Sequence, residues 1–307
     1  MTPLFGNRDS LREISITIYG DERKSLCERW DYTGVLFIPT PALPCFHAKL
    51  QNCRDRIGFY NEMKFSSLNP SGRGAKVEVA KLWVSHVIEE AKGDRDLFIK
   101  ILGVDKENID YAAFGGEATG RGTYANIYNR LFRSQLIGGI KYYFGEYDRV
   151  VVDDVIHHRE GNLQNHEYFD WHSITRADRE IENVSFASDT IRFVSSDPGS
   201  EDAHDIHTEL VQFTDIVLGS VSHCVECHNE RNNGQHRVAE VILPLVERMS
   251  LRPKNAQSSY RYHRRYGLSF FPKPRSQSLP GGATSNAIYT RRRMRLREYL
   301  SGQGDLF

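Results

Sequence analysis

Two stretches near the start of the chain have the hydrophobic pattern of β-strands. Ile14, Ile16 and Ile18 alternate with polar residues, which is the period of a strand that buries one face. Residues 35–38 are all apolar and end at Pro39, a residue that cannot continue the hydrogen-bond ladder of a sheet. Because the two runs are close in sequence, we expect neighbouring strands of a hairpin.

Longer segments show the helical period, in which apolar residues recur every three to four positions. This pattern predicts helices at 75–90, 124–144, 206–221 and 235–249. The second of them is interrupted by Gly138-Gly139. Apolar runs predict further strands at 96–102, 150–152 and 191–194. This order predicts an α/β domain over residues 1–250, with a mixed sheet flanked by helices.

The residues after position 250 differ from the rest in charge. Residues 251–307 contain twelve Lys and Arg and only two acidic residues, whereas the first 250 residues contain 28 and 38. Interleaved basic and aromatic residues are typical of nucleic-acid binding, and a solvated tail folded against the acidic body explains the charge equally well. We treat 251–307 as a basic, partly disordered extension with a short basic helix at 290–300. The arginines expected to contact DNA or RNA are Arg261, Arg264, Arg265, Arg291, Arg292 and Arg293.

Composition excludes several classes of protein. The chain has 39% hydrophobic and 26% charged residues, which is typical of a folded globular protein and not of a disordered one. No apolar run approaches the roughly 20 residues that cross a bilayer, and the first eleven residues lack the apolar core of a secretory signal. The five cysteines are then expected to be reduced thiols in a cytoplasmic protein.

Acidic residues follow two of the predicted strands. Asp21 comes after the first strand, and Asp153 and Asp154 come after the run of three valines. If the strands are neighbours, the carboxylates converge, and such a cluster is relieved by binding Mg²⁺ or Mn²⁺. Asp215 lies beside the apolar stripe of the helix at 206–221, where a carboxylate without a partner is costly. The alternatives are turn residues for Asp153 and Asp154 and a solvated helix face for Asp215.

Four segments that contain these acids resemble the motifs of the domain-of-unknown-function 3800 family, which is regarded as having the ribonuclease H-like fold. They are GDERKS at 20–25, EMKF at 62–65, VVDD at 151–154 and LVQFTDIVLG at 210–219. Arg23 stands where the family's Asp-Glu-Ser motif has Ser, and Thr214 replaces a small apolar residue before the helix acid. The resemblance implies a ribonuclease H-like mixed sheet flanked by helices, with the basic C-terminal extension added to it.

The resemblance also implies a function, that of a metal-dependent nuclease or related phosphodiester-cleaving enzyme acting on DNA or RNA. It assigns the ligands of two Mg²⁺ or Mn²⁺ ions to Asp21, Glu62, Asp153 or Asp154, and Asp215. Lys64 would contact the scissile phosphate or neutralise the acids, and Glu22 is expected to be structural, since alternation turns it away from Asp21. The alternative is a nucleic-acid-binding or sliding-clamp-associated module on the same fold without turnover.

Four histidines follow the valine run within sixteen residues, His157, His158, His166 and His172. Their spacing fits no helical metal pair, so we interpret them as loop histidines near the site. One of them is a candidate for proton transfer.

Cys224 and Cys227 belong to a Cys-x-x-Cys-His sequence. We reject haem attachment because no export signal is visible. Zinc at Cys224 and Cys227 is disfavoured because no second cysteine pair stands at a matching distance, and reduced cysteines are the preferred interpretation. A zinc-stabilised interaction protein is a third, minor hypothesis.

The last five residues resemble the peptide by which bacterial replication and repair proteins bind the DNA sliding clamp. Leu306 and Phe307 would enter an apolar pocket, and Gln303 would form a hydrogen bond at its edge. The sliding clamp is therefore a candidate partner besides nucleic acid.

Overall fold

The structure is a computed structural model that describes residues 11–23, 30–92, 96–114, 121–159, 181–195, 205–226, 233–250 and 265–272. The strands are β1 (Glu13–Arg23), β2 (Trp30–Pro39), β3 (Phe98–Asp105), β4 (Arg149–His158), β5 (Val184–Phe186), β6 (Arg192–Val194) and β7 (Tyr266–Phe271). The helices are α1 (Leu43–Ile57), α2 (Ala75–Lys92), α3 (Arg121–Phe144), α4 (Ile206–Glu226) and α5 (Asn233–Ser250). Short 3₁₀ turns lie at Thr40–Ala42, Phe65–Ser67 and Tyr111–Phe114. Within these ranges, no helix is both long enough and apolar enough to cross a membrane.

The described strands form one mixed sheet in the order β5-β4-β1-β2-β3-β7, and β6 also pairs with β4. β1, β2 and β3 are antiparallel neighbours. β4 runs parallel to β1, β5 and β6, and β7 runs parallel to β3. The predicted α/β class, with a mixed sheet flanked by helices, is confirmed.

Helices cover both faces of the sheet. On one face, Tyr19 of β1 joins a large apolar core built with α1, α2, α4 and α5. On the other face, Ile16 and Ile18 pack with residues of α3. This alternation follows from the two-residue period of the strand, and it turns Asp21 towards the same face as Tyr19, where α4 lies.

Helix α3 continues through Gly138-Gly139, where an interruption was expected. A Cβ atom at Gly139 would collide with the ring of Phe37 on β2. The glycine is therefore needed for the close approach of the helix to the sheet.

Two boundaries differ from the expected ones. β4 does not end at Asp153-Asp154 but continues to His158, because Val155, Ile156 and His157 are buried in the sheet. The sheet also extends beyond residue 250, since β7 pairs with β3 and buries Tyr266 and Phe270. The helix expected at 290–300 lies outside the described residues.

Candidate active site

Asp215 is the one residue between Thr208 and Glu226 of α4 that is only partly buried. Burial of the carboxylate raises the pKa of Asp215, while the backbone N–H of Phe65 and the charges of Arg23, His158 and Lys64 lower it. The Phe65 N–H donates to Asp215 Oδ2 over 2.7 Å. A desolvated acid that interacts with several cationic groups is typical of a functional site.

Asp21 approaches the same place from β1. Its side chain is only 4% exposed, and its Oδ1 accepts a hydrogen bond from the Glu22 N–H over 2.8 Å. His158 Nδ1 of β4 lies 3.8 Å from Asp21 Oδ1, and the charge of His158 also acts on Asp215. The two predicted acids are thus brought together around His158.

Asp153 and Asp154 do not join this cluster. In the pairing of β1 with β4, Thr17 is opposite Asp154 and Gly20 is opposite His157, with a bulge at Asp153. Asp154 is therefore about 13 Å along the strand from the position beside Asp21, at roughly 3.3 Å per residue. The charge of Asp154 acts instead on Tyr19 and His207.

Glu62 and Lys64 are partly exposed residues near Asp215. Lys64 Nζ is 3.8 Å from Glu62 Oε1, and the charge of Lys64 acts on Asp215. Lys76, at the start of α2, interacts electrostatically with Glu62, Asp215 and Lys64. The structure therefore brings Asp21, Glu62, Lys64 and Asp215 to one region, and leaves Asp153 and Asp154 elsewhere.

Arg54 attaches the segment that carries Glu62 and Lys64 to α4. Its buried guanidinium donates to the carbonyl oxygens of Phe59 (3.3 Å) and Asn61 (2.9 Å). It also donates to Gln212 Oε1 over 3.0 Å and to Glu209 Oε1 over 2.5 Å. Because Gln212 Oε1 accepts the Met63 N–H as well, over 2.8 Å, the segment is held at both its beginning and its end.

Arg23, the residue that departs from the family motif, contributes a cation to the site. Its guanidinium lies 4.9 Å from the centre of the Phe65 ring, a distance typical of a cation–π contact. Burial lowers the pKa of Arg23, and the charges of Asp215 and Glu226 oppose this shift. Gly219 makes room for Phe65, because a Cβ atom there would lie 2.6 Å from the Phe65 Cβ.

Glu22 faces the opposite side of the sheet, as alternation requires. It is 8% exposed, and its Oε2 lies 3.9 Å from His157 Nε2. Tyr128 of α3 forms a hydrogen bond with His157, and burial followed by the charge of Glu22 raises the pKa of Tyr128. The pair of residues at 157–158 therefore supplies one imidazole to each face, and only His158 belongs to the site.

Three residues of this site had no site role in the sequence interpretation: Arg54, Lys76 and Arg23. His158 was expected near the site, but in a loop. The consecutive histidines at 157–158 were visible in the sequence. That they lie in a strand could be learned only from the sheet register. For Arg54 and Lys76 the sequence contains no comparable signal.

The chemistry of these two acids would suit a single divalent cation. Asp21 and Asp215 supply carboxylate oxygens, and Mg²⁺ is commonly held by one or two carboxylates together with water and substrate phosphate. The desolvation that raises the pKa of Asp215 is the kind of cost that a bound cation relieves. In the part of the chain that the structure describes, no group of three His, Cys, Asp or Glu side chains is arranged to hold a metal.

The remaining predicted residues are distributed as follows. Arg265 is buried in the core, with its Nη1 donating to the Glu90 carbonyl oxygen over 3.0 Å, so it does not contact nucleic acid from this position. Cys224 is a buried cysteine whose Sγ donates to the Ala239 carbonyl oxygen over 3.3 Å. The others lie outside the described residues: Arg261, Arg264, Arg291, Arg292, Arg293, Cys227, Gln303, Leu306 and Phe307.

Comparison with known proteins gives no family to which the chain can be assigned. A scan against protein-family models finds no match, and a search of curated proteins also finds none. The resemblance drawn from the four short motifs therefore stays a prediction.

Proposed function

We propose that this protein is a metal-dependent nuclease, or a related enzyme that cleaves phosphodiesters in DNA or RNA, with a ribonuclease H-like fold. The observation that carries the proposal is the meeting of Asp21 from β1 and Asp215 from α4 around His158. A first-strand acid beside a helix-borne acid is what the resemblance implies. His158 stands where a central-strand acid was expected.

The surroundings of the two acids suit an anionic substrate. Lys64, Lys76 and Arg23 all interact electrostatically with Asp215. Cations next to carboxylates can hold a phosphate that the carboxylates alone would repel.

Each residue has a role in this proposal. Asp21 and Asp215 would hold a divalent cation, Mg²⁺ or Mn²⁺, which when bound polarises a phosphoryl oxygen and acidifies a bound water. His158 takes up or returns a proton at Nδ1, the atom that faces Asp21. Lys64 binds the scissile phosphate, and the Phe65 N–H fixes the orientation of the Asp215 carboxylate.

The test is cleavage of single-stranded, duplex and hybrid substrates by the full chain with Mg²⁺ or Mn²⁺. Asp21→Asn and Asp215→Asn should each lower the rate at least about 100-fold. Asp154→Asn is the matched control, because its position on β4 is about 13 Å along the strand from the position beside Asp21; its rate should stay within about threefold of the parent. Equal losses in all three variants would contradict the proposed centre.

A second candidate is the nucleic-acid-binding module without turnover. It is favoured by the cations around the acids, since His158, Arg23 and Lys64 offset part of the desolvation of Asp215 without a metal. Absence of cleavage under all metal conditions, with nucleic-acid binding unchanged in Asp21→Asn and Asp215→Asn, would select this candidate. Binding of the C-terminal peptide to a sliding clamp remains a separate prediction.

A further inference from the structure

We propose that the substrate strand is single-stranded where it meets the protein, and that an unpaired base stacks on Tyr60 while Lys64 and Lys76 bind its phosphates. This inference rests on the proposed nucleic-acid function and names the form of substrate that the site takes. It assigns a binding role to Tyr60, which lies two residues before Glu62.

Tyr60 is an exposed aromatic side chain in a fixed position. Its ring is 59% exposed, although large aromatic residues are usually buried. Arg54 holds the carbonyl oxygens on both sides of it, those of Phe59 and Asn61, and the Tyr60 hydroxyl donates to Asp55 Oδ1 over 2.9 Å. The ring is therefore held outward before a ligand arrives, which lowers the entropic cost of stacking.

Exposure of this degree is rare in the part of the chain that the structure describes. There, the exposed large hydrophobic side chains are Leu11, Tyr60 and Tyr142. Leu11 precedes β1 and Tyr142 lies near the end of α3, on the other face of the sheet. Tyr60 alone among these three shares a segment with residues of the candidate active site.

The two lysines next to this segment are linked through Ser67. Lys76 Nζ donates to Ser67 Oγ over 2.6 Å, and Ser67 Oγ donates to the Lys64 carbonyl oxygen over 3.0 Å. Burial lowers the pKa of Lys76, the charges of Glu62 and Asp215 oppose this shift, and the smaller effects of Lys64 and Arg54 add to it. A phosphate bound beside the two lysines would interact favourably with both of their charges.

The combination of an exposed aromatic ring with two nearby lysines favours an unpaired strand over a duplex. In a duplex both faces of each base are already covered by neighbouring bases, whereas a single strand can present a base to an aromatic ring while its backbone follows basic residues. Tyr60 supplies the aromatic ring, and Lys64 and Lys76 supply the basic residues.

The first experiment measures the affinity of Asp21→Asn protein, in which cleavage is suppressed, for fluorescent single-stranded and duplex oligonucleotides. Adding Tyr60→Ala should weaken single-strand binding about 5- to 150-fold, the range that loss of one stacked base produces. Tyr60→Phe keeps the ring but loses the hydrogen bond to Asp55, so it should bind far more tightly than Tyr60→Ala. Tyr142→Ala, which removes an equally exposed tyrosine elsewhere, should stay within about twofold of the parent, and duplex binding should change little in any variant.

The second experiment measures how single-strand affinity depends on salt. Lys76→Gln should reduce the slope of log K against log salt by about 0.7, the value for one phosphate contact. Lys81→Gln is the control, because Lys81 is on the same helix but is paired with Glu78 over 3.0 Å; its slope should be unchanged.

Equal affinities of Tyr60→Ala and Tyr142→Ala, or equal slopes of the two lysine variants, would overturn the inference. Such a result leaves the proposed nuclease standing if the parent protein still cleaves. Conversely, single-strand binding that depends on Tyr60 in a parent protein that cleaves nothing would overturn the nuclease and leave this inference standing.

Discussion

His158 Nδ1 lies 3.8 Å from Asp21 Oδ1 across two adjacent parallel strands. The contact joins β4 to β1 at the point where both face α4. An imidazole in this place can balance the charge of the buried carboxylate and exchange a proton with a substrate held beside it.

Replacement of His158 tests this contact. We expect His158→Gln to reduce cleavage about 100-fold, the usual contribution of a proton-transfer group, with little change in nucleic-acid affinity. His86→Gln is the control, because His86 is paired with exposed Glu89 on α2. A rate for His158→Gln equal to that of His86→Gln would remove His158 from the mechanism.

Arg54 should be essential for the position of the segment that carries Glu62 and Lys64. Arg54→Met leaves the buried carboxylate of Glu209 without its main cation, which costs about 3–5 kcal/mol of unfolding free energy. Arg54→Lys keeps the charge but loses the forked geometry, so we expect a smaller loss of stability together with faster hydrogen exchange at the Met63 and Phe65 amides.

Arg56→Met on the exposed side of α1 is the matched control for this series. If the Met63 amide is protected from hydrogen exchange equally in Arg54→Lys and Arg56→Met, the segment is held by other contacts.

Gly219→Ala should destabilise the protein, although alanine is the better helix former by about 1 kcal/mol. The new methyl group would lie 2.6 Å from the Phe65 Cβ, and relief of such a contact costs about 1–3 kcal/mol. Movement of Phe65 would also displace the N–H that binds Asp215. Urea unfolding and cleavage assays measure the two effects, and an increase in stability would contradict the proposed close contact.

Stability should decrease in acid because of His223. Burial, and then the charges of His236 and Arg23, lower the pKa of His223 to about 3. In the unfolded chain the imidazole binds a proton near its ordinary pKa of about 6.5, so the unfolded state gains protons first as the pH falls. The unfolding free energy therefore decreases between about pH 6.5 and pH 3, by at most about 1.4 kcal/mol per pH unit from this group.

His223→Gln should be less stable than the parent at neutral pH and should lose less stability as the pH falls. Denaturant unfolding at several values between about pH 7.5 and pH 4.5 measures the slopes. His86→Gln, with a partly exposed imidazole, should keep the parental slope; if His223→Gln keeps it too, other groups cause the acid sensitivity.

Helices α2 to α5 and the first strand could be predicted because their periodicity is strong. The pattern placed a helix start at Ala75, which is where α2 begins, and it put Asp215 beside the apolar stripe of α4. The position of Asp215 could be predicted because a helix buried on nearly all sides leaves few positions where a carboxylate can lie.

Helix α1 was missed although its buried residues Leu43, Phe46 and Leu50 have helical spacing. The helix begins next to Pro44 and ends at Gly58, which has a left-handed φ of 71°. These residues also occur in loops, so the sequence alone did not separate a helix start and stop from a turn-rich segment. Strand β7 was missed because its neighbours along the chain are rich in proline and charge.

The position of His158 depends on a feature that hydrophobic patterning does not reveal. Val150 and Val152 face α3, and so does Val155, although strict alternation from Val152 would turn Val155 the other way. The bulge at Asp153 changes the phase of the strand. Strict alternation from Val152 would turn His158 towards α3 and away from Asp21.

The bulge has a consequence for comparing this chain with others of the same fold. Because Asp153 is the extra residue, a chain that lacks it could keep every later side chain of β4 on its present face. A correct alignment would then need a one-position gap within this strand, and an ungapped alignment would match His158 with a residue on the wrong side of the sheet.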